Sequence, residues 1–107
     1  GNSLGCKGLV ALAPAVAAST ALRHLDLSDN NVAVHGAVHV GHFLRASATL
    51  QSLSLSGNDI DDDGVRSIAE ALAENRVLRV LELQDNPWVT DEGKRALQSL
   101  KRVAVRT

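Results

Sequence analysis

The sequence predicts an α/β solenoid, a curved right-handed superhelix with short parallel strands on its concave side and α-helices on its convex side. Three observations carry that expectation. One eleven-residue pattern recurs three times at a constant spacing. An amphipathic helical stripe recurs behind it. The apolar residues are nearly all Leu, Val, Ile and Ala, with one Phe, one Trp and no Tyr, so the core must be built from many thin aliphatic layers.

The recurring pattern is LRHLDLSDNNV from Leu22, LQSLSLSGNDI from Leu50 and LRVLELQDNPW from Leu78. Each start stands 28 residues after the last, and each segment fits L-x-x-L-x-L-x-x-N-x-Φ, with Φ a large apolar residue. A fixed period of this length marks repeats that bury their apolar faces against one another. Within each segment the paired leucines, Leu25 and Leu27, Leu53 and Leu55, Leu81 and Leu83, are two apart. They therefore point to one side of a strand, the solenoid core. Asn2, Asn30, Asn58 and Asn86 fall where the chain leaves the strand. There an Asn can bond backbone with both its amide donors and its carbonyl, so stacked units should form an Asn ladder. Val32, Ile60 and Trp88 are expected to close each layer from below.

The helical halves follow at the same period. Leu9, Leu12, Ala13 and Val16 align with Ala37, Val40, Gly41 and Leu44, with Val65, Ile68, Ala69 and Leu72, and with Gly93, Ala96, Leu97 and Leu100. The spacing i, i+3, i+4, i+7 is one face of an α-helix. Gly8, Gly36 and Gly64 share a position ahead of this stripe, where the fourth unit has Glu92. Asp61, Asp62 and Asp63 precede the third helix, and carboxylates there cap it and complement its dipole.

The pattern resembles the leucine-rich repeats of the ribonuclease-inhibitor-like subclass. Such repeats occur in the GTPase-activating protein of Ran, in the arms of nucleotide-binding immune receptors, and in tropomodulin-like actin regulators. The resemblance spans nearly the whole chain, but the matching positions are all structural ones. It implies a strand–loop–helix unit and leaves the particular relative open.

On this reading residues 1–107 form one domain: a partial repeat 1–21, repeats 22–49, 50–77 and 78–99, and a short terminal strand 100–107. The chain opens in mid-unit, after a strand that is not present, and is expected to be a fragment of a longer protein. Leu4, Leu9, Leu12 and Val16 then lack a covering neighbour, and self-association through that N-terminal face is expected unless the Ala-rich segment 9–18 caps it. At the other end, Leu100, Val103 and Val105 repeat L-x-x-Φ-x-Φ. Aligning Val103 with Leu81, 22 residues earlier, makes the last unit six residues short. Lys101, Arg102 and Arg106 suit an exposed edge strand; the rival is a frayed extension of the last helix.

The strand residues that do not face the core make the concave surface, the expected partner-binding site. Aligned by repeat they form three ladders: His24–Ser52–Val80–Arg102, Asp26–Ser54–Glu82–Ala104, and Ser28–Ser56–Gln84–Arg106. The surface is polar, with acid in the middle and base on the last strand. Varied polar residues between fixed leucines point to a non-catalytic protein-interaction scaffold, holding its partner on the concave face or the rim loops. The family resemblance adds two alternatives, a regulator of a small GTPase and the sensor arm of a signalling receptor. The concave wall could instead be merely solvated, with the interface elsewhere in the parent protein.

Other chemistries find little support. With a net charge of −1 and a pI near 6.4, no long-range field draws in nucleic acid or an anionic membrane. Cys6 is the single cysteine, so no internal disulfide can form, which fits a cytoplasmic or nuclear setting. No apolar run reaches the eighteen residues that a membrane span needs. His35, His39 and His42 share a helical face and could chelate Zn²⁺, but the equivalent Asp63, Ser67 and Glu70 mark that face as solvated. Asp59 and Asp61–Asp63 lack the alternating ligands and closing Glu of a Ca²⁺ loop. Ser28, Ser54, Ser56, His24 and Asp26 are triad residue types, yet they project in parallel from a flat sheet without a pocket or an oxyanion-forming turn. No enzyme activity, cofactor or resident metal is expected.

Overall fold

The computed structural model describes residues 22–28, 34–100 and 102–107. Among these described residues, four three-residue strands alternate with three helices: β1 (His24–Asp26), α1 (Val34–Ala46), β2 (Ser52–Ser54), α2 (Asp62–Glu74), β3 (Val80–Glu82), α3 (Asp91–Gln98) and β4 (Ala104–Arg106). The strands form one parallel sheet in the order β1-β2-β3-β4. Every crossover between neighbours carries a helix, as parallel pairing demands.

The register follows the period. Leu25 lies beside Leu53 and Leu53 beside Leu81. Backbone bonds continue past the strands, Leu27 N–H donating to the Ser54 carbonyl (2.9 Å) and Leu55 N–H to that of Glu82 (2.8 Å). The repeated leucines are sealed inside: Leu53, Leu55 and Leu81 are fully buried, together with Leu50, Leu78 and Ile60. Val40 and Leu44 from α1, and Val65, Ile68 and Leu72 from α2, close the layer from the helical side. Burying one such aliphatic side chain is worth about 1.5–3 kcal/mol, and each unit gains it only against its neighbours.

Two departures from strict 28-residue spacing occur in the last unit. First, β4 is displaced by two residues from the expected alignment. Leu81 pairs with Val105 rather than Val103, and Glu82 with Arg106. The reason is local. Leu100 N–H donates to the Leu97 carbonyl and Val103 N–H to that of Leu100, so the short connector coils through two tight turns before extending. Val103 and Val105 still pack against the core. The terminal segment is thus a strand and not a frayed helix, but Arg102 precedes it.

Second, one extra residue stands between β3 and α3. The N-caps are Asp61 for α2 and Thr90 for α3, 29 positions apart, and Gly64 and Gly93 each follow their cap by three. Asn58 and Asn86 keep the 28-residue step and bond equivalent carbonyls. The insertion therefore lies between Asn86 and Thr90. Val89, packed against the core, takes the place of Ile60, and Trp88 is extruded at 65% exposure where Ile60 has none. The expected layer-closing role of Trp88 is incorrect. The expected stripe Gly93, Ala96, Leu97, Leu100 shifts with it: Gly93 and Leu97 are buried, Ala96 is half-exposed, and Leu100 falls beyond the helix. The expectations for the first helical stripe and its apolar N-terminal face, and for Asn2, Asn30, Val32, Lys101 and the His35 side chain, lie outside the described residues.

Candidate functional site

Alternation along each strand puts one residue in the core and the next on the concave face. Lateral pairing then sets these outer residues side by side. His24, Ser52, Val80 and Ala104 form one row, and Asp26, Ser54, Glu82 and Arg106 the next. All three ladder ends thus differ from expectation, Ala104 ending the first row and Arg106 the second. Arg102 leaves the first row to Ala104, and Arg106 moves from the side of Gln84 to that of Glu82. The basic end of the sheet consequently meets the acidic middle directly, in adjacent strands.

The polar residues of this face bind one another both within and across the rows. Ser28 donates its N–H (2.9 Å) and its hydroxyl to one carboxylate oxygen of Asp26. The Ser28 and Ser54 hydroxyls lie 2.8 Å apart, and the Ser56 hydroxyl donates to Gln84 Oε1 at 3.0 Å. The Ser28 hydroxyl, and after it the Ser28 N–H, hold the Asp26 carboxyl below its ordinary value of 3.8. His24, Asp26 and Arg106 are exposed, while Ser28, Ser52, Ser54, Ser56, Val80, Glu82 and Gln84 are half-buried. Together they line a shallow, open wall whose rows are pinned by hydrogen bonds before any partner arrives.

Behind the rim, the Asn ladder is present where described. The Asn58 amide donates to the carbonyls of Leu27 (3.0 Å), Leu55 (2.9 Å) and Ser56. Asn86 repeats this with Leu55, Leu83 and Gln84, while its Oδ1 accepts from Ile60 N–H. A second polar rung at the opposite turn escaped sequence reasoning. The Asn75 amide donates to the Leu44 carbonyl, and its Oδ1 accepts from the N–H groups of Val77 (2.8 Å) and Leu78 (2.9 Å). One period earlier Ser47 accepts from Leu50 N–H at 3.2 Å. The signal was a polar residue 28 positions before Asn75, but Ser and Asn share no letter.

The helix termini behave as their acids predict. Asp61 accepts from Gly64 N–H (2.9 Å), and Thr90 from Glu92 N–H. Asp62 instead crosses to the next unit and accepts from both the N–H (2.8 Å) and the hydroxyl of Thr90. The Thr90 hydroxyl, then the Thr90 N–H, lowers its carboxyl from 3.8, with smaller help from Gly93 N–H and Arg66. On the convex face His39 is half-buried and His42 exposed, their rings meeting edge to face at 5.8 Å. Among the described residues no cluster of three or more His, Cys, Asp or Glu is placed to hold a metal ion. No helix among them is long and apolar enough to cross a membrane.

Comparison with known proteins agrees with this architecture. Residues 18–38, 46–69 and 74–97 match the family described as Leucine Rich repeat. These segments cover more than half of the chain, which belongs to the leucine-rich-repeat family, as its solenoid shows. Among solved structures it is similar to "Leiomodin-1 Actin-Binding Site 2 (ABS2)", with a TM-score of 0.84 and 23% identity. That match covers 98% of this chain and 66% of the other, so the chain spans a little under two thirds of that protein's length. At this identity the likeness shows the fold. No curated protein matches the chain.

Proposed function

We propose that the chain is a non-catalytic protein-interaction module that holds its partner on the concave sheet face and adjoining rim. The carrying observation is the row Asp26–Ser54–Glu82–Arg106. Four parallel strands present acid, hydroxyl, acid and base side by side, and such a graded surface selects an opposing protein by charge complementarity. Pre-bonded serines lower the entropic cost of ordering that surface on binding. The likeness to an actin-binding site makes actin the first partner to test.

The test is co-sedimentation of the purified chain with filamentous actin, and gel filtration with monomeric actin, for the wild type and the Asp26→Lys/Glu82→Lys variant. Asp26 is exposed and Glu82 half-buried, so circular dichroism should match the wild type, and melting should fall only by what the two Ser28–Asp26 bonds contribute. Binding by the wild type and its loss in the variant supports the reading. Equal binding by both places the interface off the concave face, and no binding by the wild type removes actin as the partner.

A further inference from the structure

The extruded tryptophan marks a second surface, away from the concave face. The chain has two aromatic residues of the Phe, Trp and Tyr kind. Phe43 is 1% exposed, as a core aromatic should be, whereas Trp88 is 65% exposed. The one-residue insertion explains why some side chain must stand outside at this point, since Val89 fills the core position. It does not call for an aromatic: any polar residue would occupy the loop without exposing an indole to water. Trp is, with Tyr and Arg, one of the residue types enriched at the hot spots of protein interfaces.

The surroundings say what would cover it. Trp88 sits in an open concavity of roughly 570 Å³ built from two successive units, and its backbone bridges to Asp61. Asp59, Asp61, Asp62 and Asp63 line it from one unit and Glu92 from the next, against the single guanidinium of Arg66. That guanidinium is already shared between Asp63 and Glu92. Five carboxylates facing one cation leave a surplus of negative charge around an exposed indole face. A cation over an indole is attracted by the ring quadrupole, and carboxylates beside it add Coulombic and hydrogen-bonding attraction.

We propose that Trp88 and the carboxylates flanking it form a docking site on the outer loop rim for a lysine- or arginine-bearing segment of a partner protein. The cation lies over the indole, with Asp59 and Asp63 holding its donors. The site uses none of the concave-face residues, so it adds a second point of attachment and its failure leaves the concave reading untouched.

Trp88 is the chain's only tryptophan, so its emission reports this site alone. Titrating the intact chain with an octa-arginine peptide should give a saturable shift in that emission, weakening steeply with added salt, while an octa-glutamate peptide gives none. By anisotropy of the labelled peptide, Trp88→Ala should bind about tenfold more weakly, within the range of a cation–π contact. Trp88→Phe should recover part of the loss. Asp59→Asn/Asp63→Asn should weaken binding, whereas Glu70→Gln on the exposed face of α2 and Asp26→Lys/Glu82→Lys should keep the Trp88 response. Undiminished binding by Trp88→Ala, or an equal loss in Glu70→Gln, overturns the proposal. A peptide-independent emission shift that grows with protein concentration overturns it too, because a second copy of the chain then covers the indole.

Discussion

Asp62 reaches across a full repeat to Thr90, taking two hydrogen bonds from it at the N-terminus of α3. It thereby fastens the start of one helix to the start of the next. The bonds favour the ionised carboxyl and hold it below 3.8, as Ser28 does for Asp26. The sign follows: below about pH 4 the unfolded chain binds more protons than the folded one, so stability falls with pH there. The contribution of both groups is complete above 3.8 and lost as pH falls through the lowered folded values. Acid unfolding followed by circular dichroism should show this loss as pH falls below 3.8, and Thr90→Val should shallow it. An identical acid limb in Thr90→Val would mean that the contact does not bind in solution.

The same carboxylate explains a glycine. A Cβ at Gly93 would stand 2.2 Å from Asp62 Oδ1 and 3.3 Å from Val89 Cγ1. Gly93→Ala must therefore displace Asp62 from Thr90, and a loss of stability is expected from the broken tie. Chemical denaturation of Gly93→Ala, Asp62→Ala and the double variant should give a double-mutant cycle with clear coupling, the second change costing little after the first. Strict additivity would refute the link.

Gly57 and Asp85 occupy equivalent turn positions after β2 and β3, with φ of 69° and 60°. The left-handed region suits glycine and strains most other residues, Asp less than many. Asp85→Gly should raise stability by several tenths of a kcal/mol to about 1 kcal/mol, and Gly57→Ala should lower it by about 1 kcal/mol. Urea midpoints of the two variants should move in opposite directions.

Asn86 is buried, and its side chain joins three carbonyls and one N–H from two layers. Asn86→Leu keeps the volume but strands these backbone groups, at about 1–3 kcal/mol for each one that stays unsatisfied. A loss of at least 2 kcal/mol in the urea unfolding energy is expected. Asn75→Leu should behave alike, because Asn75 does the same at the opposite turn.

The leucines and the Asn58–Asn86 rung were legible because each position repeats with one residue type, so 28-fold spacing alone locates them. The concave residues were legible for the same reason, since a residue between two core leucines has to face outward. What escaped were places where geometry and letter part company. The β4 register depends on how tightly residues 99–103 coil, which no apolar pattern encodes. Trp88 sits where Ile60 would in a gapless alignment, and the displaced Gly93 was the one trace of the insertion in the sequence. The Asp62–Thr90 tie joins two unlike residues that only a gapless alignment sets at one position, Thr90 being the structural counterpart of the cap Asp61, so self-alignment gives it no weight.

The asparagine amides have a direction. Asn58 donates to Leu27, Asn75 to Leu44 and Asn86 to Leu55, each to a carbonyl 31 residues earlier in the chain. On a growing polypeptide every such donor emerges after its acceptor has been made. Each of these amides therefore ties a coil of the solenoid to the coil before it.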